Sequence, residues 1–190
     1  MTDGRQGEPG PPGGEGDDGA AASGEVLRTL RRYAMDLLAR REHSRLELTE
    51  KLRRHCGRAQ AAQSADGPTT PADPGTTEAL IQRTLDQLEA DGLQSDARYA
   101  EVLVRSRCNR GQGPLRIRAD LRQRGLDATA VDSLLEAYED SWPELALEAV
   151  SKRFGDAPAA DRREWARRAR FLAGRGFPEG LVMRVLGPLP

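Results

Sequence analysis

The sequence predicts an all-α protein: three tandem three-helix repeats forming an elongated, curved body, with a disordered N-terminal tail. Three observations carry this. Strand-type alternation is absent, apolar residues recur at helical spacing, and the chain is self-similar. Composition agrees with a thin body. Apolar residues make up 37% of the 190 and aromatic residues 4%, against the roughly 45–50% apolar content of an ordinary globular domain. No apolar run approaches the ~20 residues of a membrane span. The N-terminus lacks the hydrophobic segment of a secretory signal. Cys56 and Cys108 stand far apart, outside any disulfide framework. The expected location is cytoplasmic, and the expected state a monomer without membrane contact.

The net charge of −1 conceals an asymmetry. Residues 1–24 hold five acids against one base, and the remainder holds 28 bases against 25 acids. The acidic Gly/Pro-rich stretch 1–24 cannot bury enough apolar surface to offset its ordering entropy, so it reads as a disordered tail.

The first repeat spans 25–94. VLRTLRRYAMDLLARRE places Leu30, Ala34, Leu37 and Leu38 on one stripe. Ser44-Arg45-Leu46-Glu47 reads as a capping box before a second helix, LELTEKLRRHC. A low-complexity insertion follows at about 57–75 and reads as a loop. The third helix is EALIQRTLDQLEADG, stopped at Gly92. The second repeat, 95–140, opens with a cap at Ser95 or Asp96. Gly113-Pro114 restarts the chain with proline at the first helical position. The middle helix stops at Gly125, and Asp127 caps ATAVDSLLEAYED. The third repeat, 141–190, begins with Ser141-Trp142-Pro143-Glu144, read as another capping box. LALEAVSKRF, DRREWARRARFLAGRG and PEGLVMRVL follow.

Superimposing Leu121 on Leu172 brings Gly125 onto Gly176, Leu126 onto Phe177, Val131 onto Val182 and Leu135 onto Leu186. Superimposing Leu52 on Leu121 brings Leu46 onto Leu115, Leu48 onto Ile117 and Arg41 onto Arg110. The third helix of the first repeat aligns only after a further shift of about 19 positions, which sizes the insertion. It sits between helices, where added length is thermodynamically cheap. Each unit is too small to bury a core alone, so neighbours are expected to stack.

Catalysis is poorly supplied. His43 and His55 have no serine, cysteine or carboxylate at a recognisable catalytic spacing. His55, Cys56 and Cys108 lack the ligand number and spacing of a structural zinc site. No glycine-rich phosphate loop occurs, and the glycines read as helix stops. The expectation is a protein that is not an enzyme, with no metal and no cofactor.

What remains is charge segregated by helix. The middle helix of each repeat, with its approach, is basic; the first and third helices carry most of the acids. Salt bridges between helices are one account. The other is a cationic stripe, aimed outward on a shared concave side, that serves an acidic partner: nucleic acid, through phosphate contacts, or an acidic protein groove. The candidate contacts are Arg40 and Arg41 in the first repeat, Arg105, Arg107, Arg110, Arg116, Arg118, Arg122 and Arg124 in the second, and Arg167, Arg168 and Arg170 in the third. A helix-turn-helix DNA-binding protein is the alternative. Against it, the third helices are acidic or apolar, which is wrong for reading bases.

ARREHSRLELTEKLRRHC, LDQLEADGLQSDARYAEVLVRSRCNRGQGPLRIRADLRQRGLD, SKRFG and ARFLAGRGFPEGLVMRVL resemble the bacterial RecX family of recombination regulators. The resemblance covers about residues 25–187. The acidic tail and the 57–75 insertion depart from the family pattern. The resemblance implies a non-enzymatic modulator that binds the RecA–single-stranded DNA filament, touching DNA directly or through RecA. It implies inhibition of the recombinase, ATPase and co-protease activities of RecA, and so regulation of DNA repair and recombination.

Overall fold

The computed structural model describes residues 15–64 and 74–190, with side chains over 21–62 and 76–190. These residues are helical throughout, without strands. The helices are α1 (Glu15–Leu38), α2 (Arg45–Ser64), α3 (Pro74–Ala90), α4 (Asp96–Cys108), α5 (Pro114–Gln123), α6 (Ala128–Glu136), α7 (Trp142–Phe154), α8 (Arg162–Arg175) and α9 (Glu179–Leu186). They pack as three triplets in series: α1–α3, α4–α6 and α7–α9.

Several boundaries differ from the sequence reading, each for a local reason. α1 starts at Glu15, ten residues before the expected start, so the C-terminal part of the supposed tail is helical. Ala20-Ala21-Ala22 carries high helix propensity. Residues 1–14 lie outside the described residues. α2 runs eight residues past Cys56 into the supposed insertion loop, because RAQAAQ is made of good helix formers and Gly57 is tolerated at a cost of about 1 kcal/mol. The rest of that insertion, 65–73, lies outside the described residues. Ser141 is no cap. It closes a short 3-10 turn, Glu139–Ser141, in the right-handed helical region, and a side chain there cannot reach back to the first free amides.

Other caps form as expected. Ser95 accepts from the Arg98 amide at 3.3 Å and Asp127 from the Ala130 amide at 3.0 Å. Ser44 accepts from the Glu47 amide at 3.2 Å, but Glu47 does not complete the reciprocal box. Its carboxylate turns outward to Arg41, His43 and Arg124.

Most of the apolar residues matched between repeats occupy equivalent core positions, whereas the matched Leu46 and Leu115 are exposed. Leu52, Leu121 and Leu172 are fully buried, as are Leu48 and Ile117. Two apolar clusters result. α4–α9 share one, which includes Ile117, Leu121, Val131, Trp142, Leu172 and Phe177. The first triplet closes its own around Leu30, Leu48, Leu52, Ile81 and Leu85. Stacking therefore merges the cores of the second and third repeats but not that of the first.

The two junctions between triplets share one plan. The start of the middle helix in one repeat packs on the stop glycine of the middle helix in the next. Leu46 meets Gly125, and Arg116 meets Gly176. Both glycines adopt positive φ, 81° and 90°, which suits only glycine without strain. At the second junction the backbones touch directly. The Gly113 amide donates to the Arg175 carbonyl at 2.9 Å and the Leu115 amide to the Gly176 carbonyl at 3.0 Å. A Cβ on Gly113 would lie 2.6 Å from the Gly176 carbonyl and the Phe177 amide. The first repeat has Ser44 at the position of Gly113, and its junction is bridged by side chains instead. Asp96 accepts from the Arg45 amide at 2.7 Å and from Gln94 at 2.8 Å, while Gln94 also donates to the His43 carbonyl at 3.3 Å.

Glu47 is the ionic centre of that first junction. Burial pushes its carboxyl pKa up, but hydrogen bonds from Arg41 and His43 and the charge of Arg124 outweigh it, holding the group below the usual range. His43 is buried, with Nδ1 2.9 Å from Glu47. Burial and the nearby Arg41 and Lys51 hold its pKa below 6.5, against the opposing pull of Glu47.

Two predictions follow from these junctions. Gly113→Ala will destabilise the protein by about 1–3 kcal/mol, since the added methyl meets backbone that cannot step aside. Gly174→Ala, where a Cβ meets nothing within 4 Å, will instead stabilise α8 by about 0.5–1 kcal/mol. Urea unfolding of both variants measures this. The depressed His43 pKa means that the unfolded chain takes up this proton more readily than the folded one. Its contribution is fully present above pH 6.5 and is lost as pH falls below that value. Melting temperatures between about pH 7.5 and 5.5 will therefore decline more steeply in the wild type than in His43→Gln.

Candidate partner-binding surface

The twelve candidate arginines divide by the carboxylates their neighbours present. On α4, Arg107 turns toward α5 and pairs with Asp120 at 2.9 Å. On α5, Arg118 and Arg122 lie on one flank and share Asp132 of α6, at 2.7 and 3.5 Å. Arg41 and Arg124 both engage Glu47. On α8, Arg167 and Arg168 share Glu164, at 3.6 and 2.8 Å. Arg168 is only 5% exposed and also donates to the Ala157 carbonyl at 2.7 Å, tying the 155–161 loop to its helix. It is an interior clamp, so its placement departs from the outward stripe drawn from sequence.

Residues outside the candidate set follow the same rule. Arg45 reaches Asp86 and Glu89 of α3, and Arg53 forks onto Glu78, whose carboxyl it holds, with Gln82, at about 2. The segregation of charge by helix is thus largely a set of ion pairs between middle helices and their neighbours.

Arg40, Arg105, Arg110, Arg116 and Arg170 are exposed, and no carboxylate among the described residues pairs with their side chains. Helix geometry accounts for this. At about 100° per residue, Arg105 lies some 160° from Arg107, and Arg116 the same from Arg118. One member of each pair faces the neighbouring helix and the other faces away.

The two junctions also dispose of equivalent residues differently. Arg124 and Arg175 occupy matching positions just before the stop glycines, and each reaches back to the preceding repeat. Arg124 finds the Glu47 carboxylate. The residue matching Glu47 in the second repeat is Arg116, which repels a guanidinium. Arg175 instead donates to the Arg110 main-chain carbonyl at 2.5 Å and lies 5.0 Å over the Phe171 ring. The side chains of Arg110 and Arg116 are left without anionic partners.

Arg110 borders a cleft of ≈210 Å³ between the second and third triplets. Lys152 and Arg153 of α7 and Arg175 of α8 line it, over a floor that includes Gly111, Ala149 and Phe171. Its one carboxylate, Glu148, is 2.6 Å from Lys152. Arg105 and Asn109 continue the surface along α4. Of the cations lining the cleft, Arg175 lies on the middle helix α8 but outside the candidate set, and Lys152 and Arg153 lie on a first helix, α7. The signal for Arg175 was present in its match to Arg124; those for Lys152 and Arg153 arise only from docking. Arg40 and Arg170 lie on the first and third triplets, outside this cleft, and the structure does not bring all twelve residues to one face.

The histidines and cysteines have structural places. His55 stacks on Tyr33 with ring centroids 4.2 Å apart, and burial raises the pKa of the Cys56 and Cys108 thiols. Among the described residues no three His, Cys, Asp or Glu side chains converge in a metal-holding group, and no helix is long and apolar enough to cross a membrane.

Residues 95–135 match the family model for the second three-helix domain of RecX, and residues 139–186 match the model for the third. A regulatory protein RecX from Pseudomonas putida strain W619 is 42% identical over 157 residues, covering 83% of this chain and 88% of the relative. One from Pseudomonas fluorescens strain Pf-5 is 38% identical over 162 residues, covering 85% and 92%. The fold is similar to a crystal structure of regulatory protein RecX, with TM-score 0.68 and 23% identity over 93% of this chain and 80% of that one. It is also similar to the crystal structure of RecX from Lactobacillus salivarius, with TM-score 0.64 and 21% identity over 86% and 96%. With two matched three-helix domains and this extent of identity across most of its length, the chain belongs to the RecX family of regulatory proteins.

Proposed function

We propose that this protein regulates the RecA recombinase in the cytoplasm by binding the RecA–single-stranded DNA filament, limiting its growth and damping ATP hydrolysis, strand exchange and co-protease activity. Family membership supports the regulatory role. The observation that carries the contact surface is the release of Arg105, Arg110 and Arg116 from intramolecular ion pairs on the second repeat, beside a cation-lined cleft. A guanidinium held by a carboxylate of its own fold has little to offer a partner. An exposed, unpaired one can form two-pronged contacts with phosphate or carboxylate.

Repetition adds to this. A chain of triplets can touch several protomers of a helical polymer, and each contact after the first is intramolecular. Modest contacts per repeat then suffice to compete with protomer addition. Arg40 and Arg170, also unpaired, are the next contacts on this reading, whereas Arg107, Arg118, Arg122, Arg124 and Arg168 are engaged by carboxylates of the fold.

The experiment follows ATP turnover by RecA on single-stranded DNA. Wild-type protein will inhibit at ratios well below one per RecA. Arg105→Glu combined with Arg110→Glu and Arg116→Glu will lose at least about tenfold in potency with unchanged helicity, while Arg118→Gln will retain it. Full potency in the triple variant would refute this placement of the surface. No effect of the wild type on ATP turnover, together with tight sequence-dependent binding to duplex DNA, would return the helix-turn-helix reading.

A further inference from the structure

A second hollow opens on another side of α4. The residues of α4 that line it, Asp96, Ala97, Ala100 and Glu101, are centred roughly 130° around the helix from Arg105 and Asn109, with Glu101 one turn before Arg105. The hollow has a volume of ≈230 Å³ and lies between α4 and α6. Leu126, Val131 and Leu134 floor it together with Ala100, and the short side chains of Ala97 and Ala130 leave its mouth open. Ala100, Leu126 and Val131 belong to the buried core shared by α4–α9 and Leu134 is half-buried, so the hollow is a shallow apolar groove in the surface of that core.

Its charge is the reverse of the cleft's. Asp96, Glu101 and Asp127 line the hollow, and no lysine or arginine does. Glu101 is exposed and pairs with no cation among the described residues. Asp96 and Asp127 each direct one oxygen to the protein's own amides, which fixes their carboxylates at the rim. Arg45, whose amide binds Asp96, has its guanidinium engaged by Asp86 and Glu89 and does not neutralise the rim.

We infer that this groove is a docking site for a segment of a partner protein in which an aliphatic side chain is flanked by lysine or arginine. The apolar floor takes the aliphatic group, and the three carboxylates take the flanking cations. Nucleic acid and acidic segments meet only repulsion there. The inference stands apart from the proposed function, since it rests on the α4–α6 groove and not on the cationic surface. It makes α4 a divider between two surfaces of opposite charge.

The test uses the full chain, labelled with nitrogen-15, and two synthetic peptides: acetyl-Arg-Lys-Leu-Leu-Lys-Arg-amide and its twin with every base replaced by glutamate. The basic peptide will produce saturable amide shifts confined to residues 96–101 and 126–134, and raising salt from about 50 to about 300 mM will weaken it. The acidic twin will produce none. Ala130→Trp, which plugs the groove, will lower affinity by about tenfold or more. Glu101→Lys, at an exposed position that leaves the fold undisturbed, will lower it by about fivefold. Absence of shifts at millimolar basic peptide, equal binding of both peptides, or indifference to Glu101→Lys overturns the proposal. So does concentration-dependent self-association with shifts at the same residues, which would assign the groove to a second copy of this chain.

Discussion

An arginine just before each stop glycine reaches back to the repeat before it, and the shape and charge of the molecule follow from what it finds there. Arg124 finds Glu47, already fixed by Arg41 and His43, and the first junction becomes an ionic knot. Arg175 finds Arg116 in the matching place and settles on a backbone carbonyl. One difference between equivalent positions, Glu47 against Arg116, neutralises one junction and leaves the other cationic. Function on this reading concentrates where the repeat's own ionic bookkeeping fails to close.

The ion pairs do not by themselves hold the fold. Exposed pairs contribute roughly 0–1 kcal/mol each. The apolar clusters supply the stability: Leu48, Leu52 and Ile81 in the first triplet, and Ile117, Leu121, Trp142, Leu172 and Phe177 across the other two. What the pairs supply is register. Arg118 and Arg122 on Asp132 fix the rotation of α5 against α6, and Arg107 on Asp120 fixes α4 against α5. With those rotations set, Arg105 and Arg116 have no inward direction left and must project to solvent. The exposure of these arginines is a by-product of the packing that stabilises the repeat.

The two junctions differ in kind as well as charge. Direct amide-to-carbonyl bonds through Gly113 and Gly176, with a merged core, make the second and third triplets one packed body. The first triplet has a separate core and meets the second through Gln94, Asp96 and Glu47, with Leu46 packed on Gly125. The first triplet is attached in part through Glu47, which His43 and Arg124 both engage.

The sequence by itself determined the all-helical class, the three triplets, the leucines that fill them and the stops at Gly125 and Gly176. These follow from periodicity and backbone chemistry, which are local and repeat at fixed spacing. It left undecided the fate of every arginine. Arg105 and Arg107, or Arg116 and Arg118, are equally basic in the sequence, and only the rotation of each helix against its neighbour decides which meets a carboxylate. Helix ends without a strong breaker were also beyond it: α2 passes through Gly57, and the capping pattern at Ser141 is cancelled by the 3-10 turn that precedes it. Lys152 and Arg153 entered the cleft only by the docking of α7 onto the second triplet, because a surface shared by two repeats is a property of their contact and is written in neither alone.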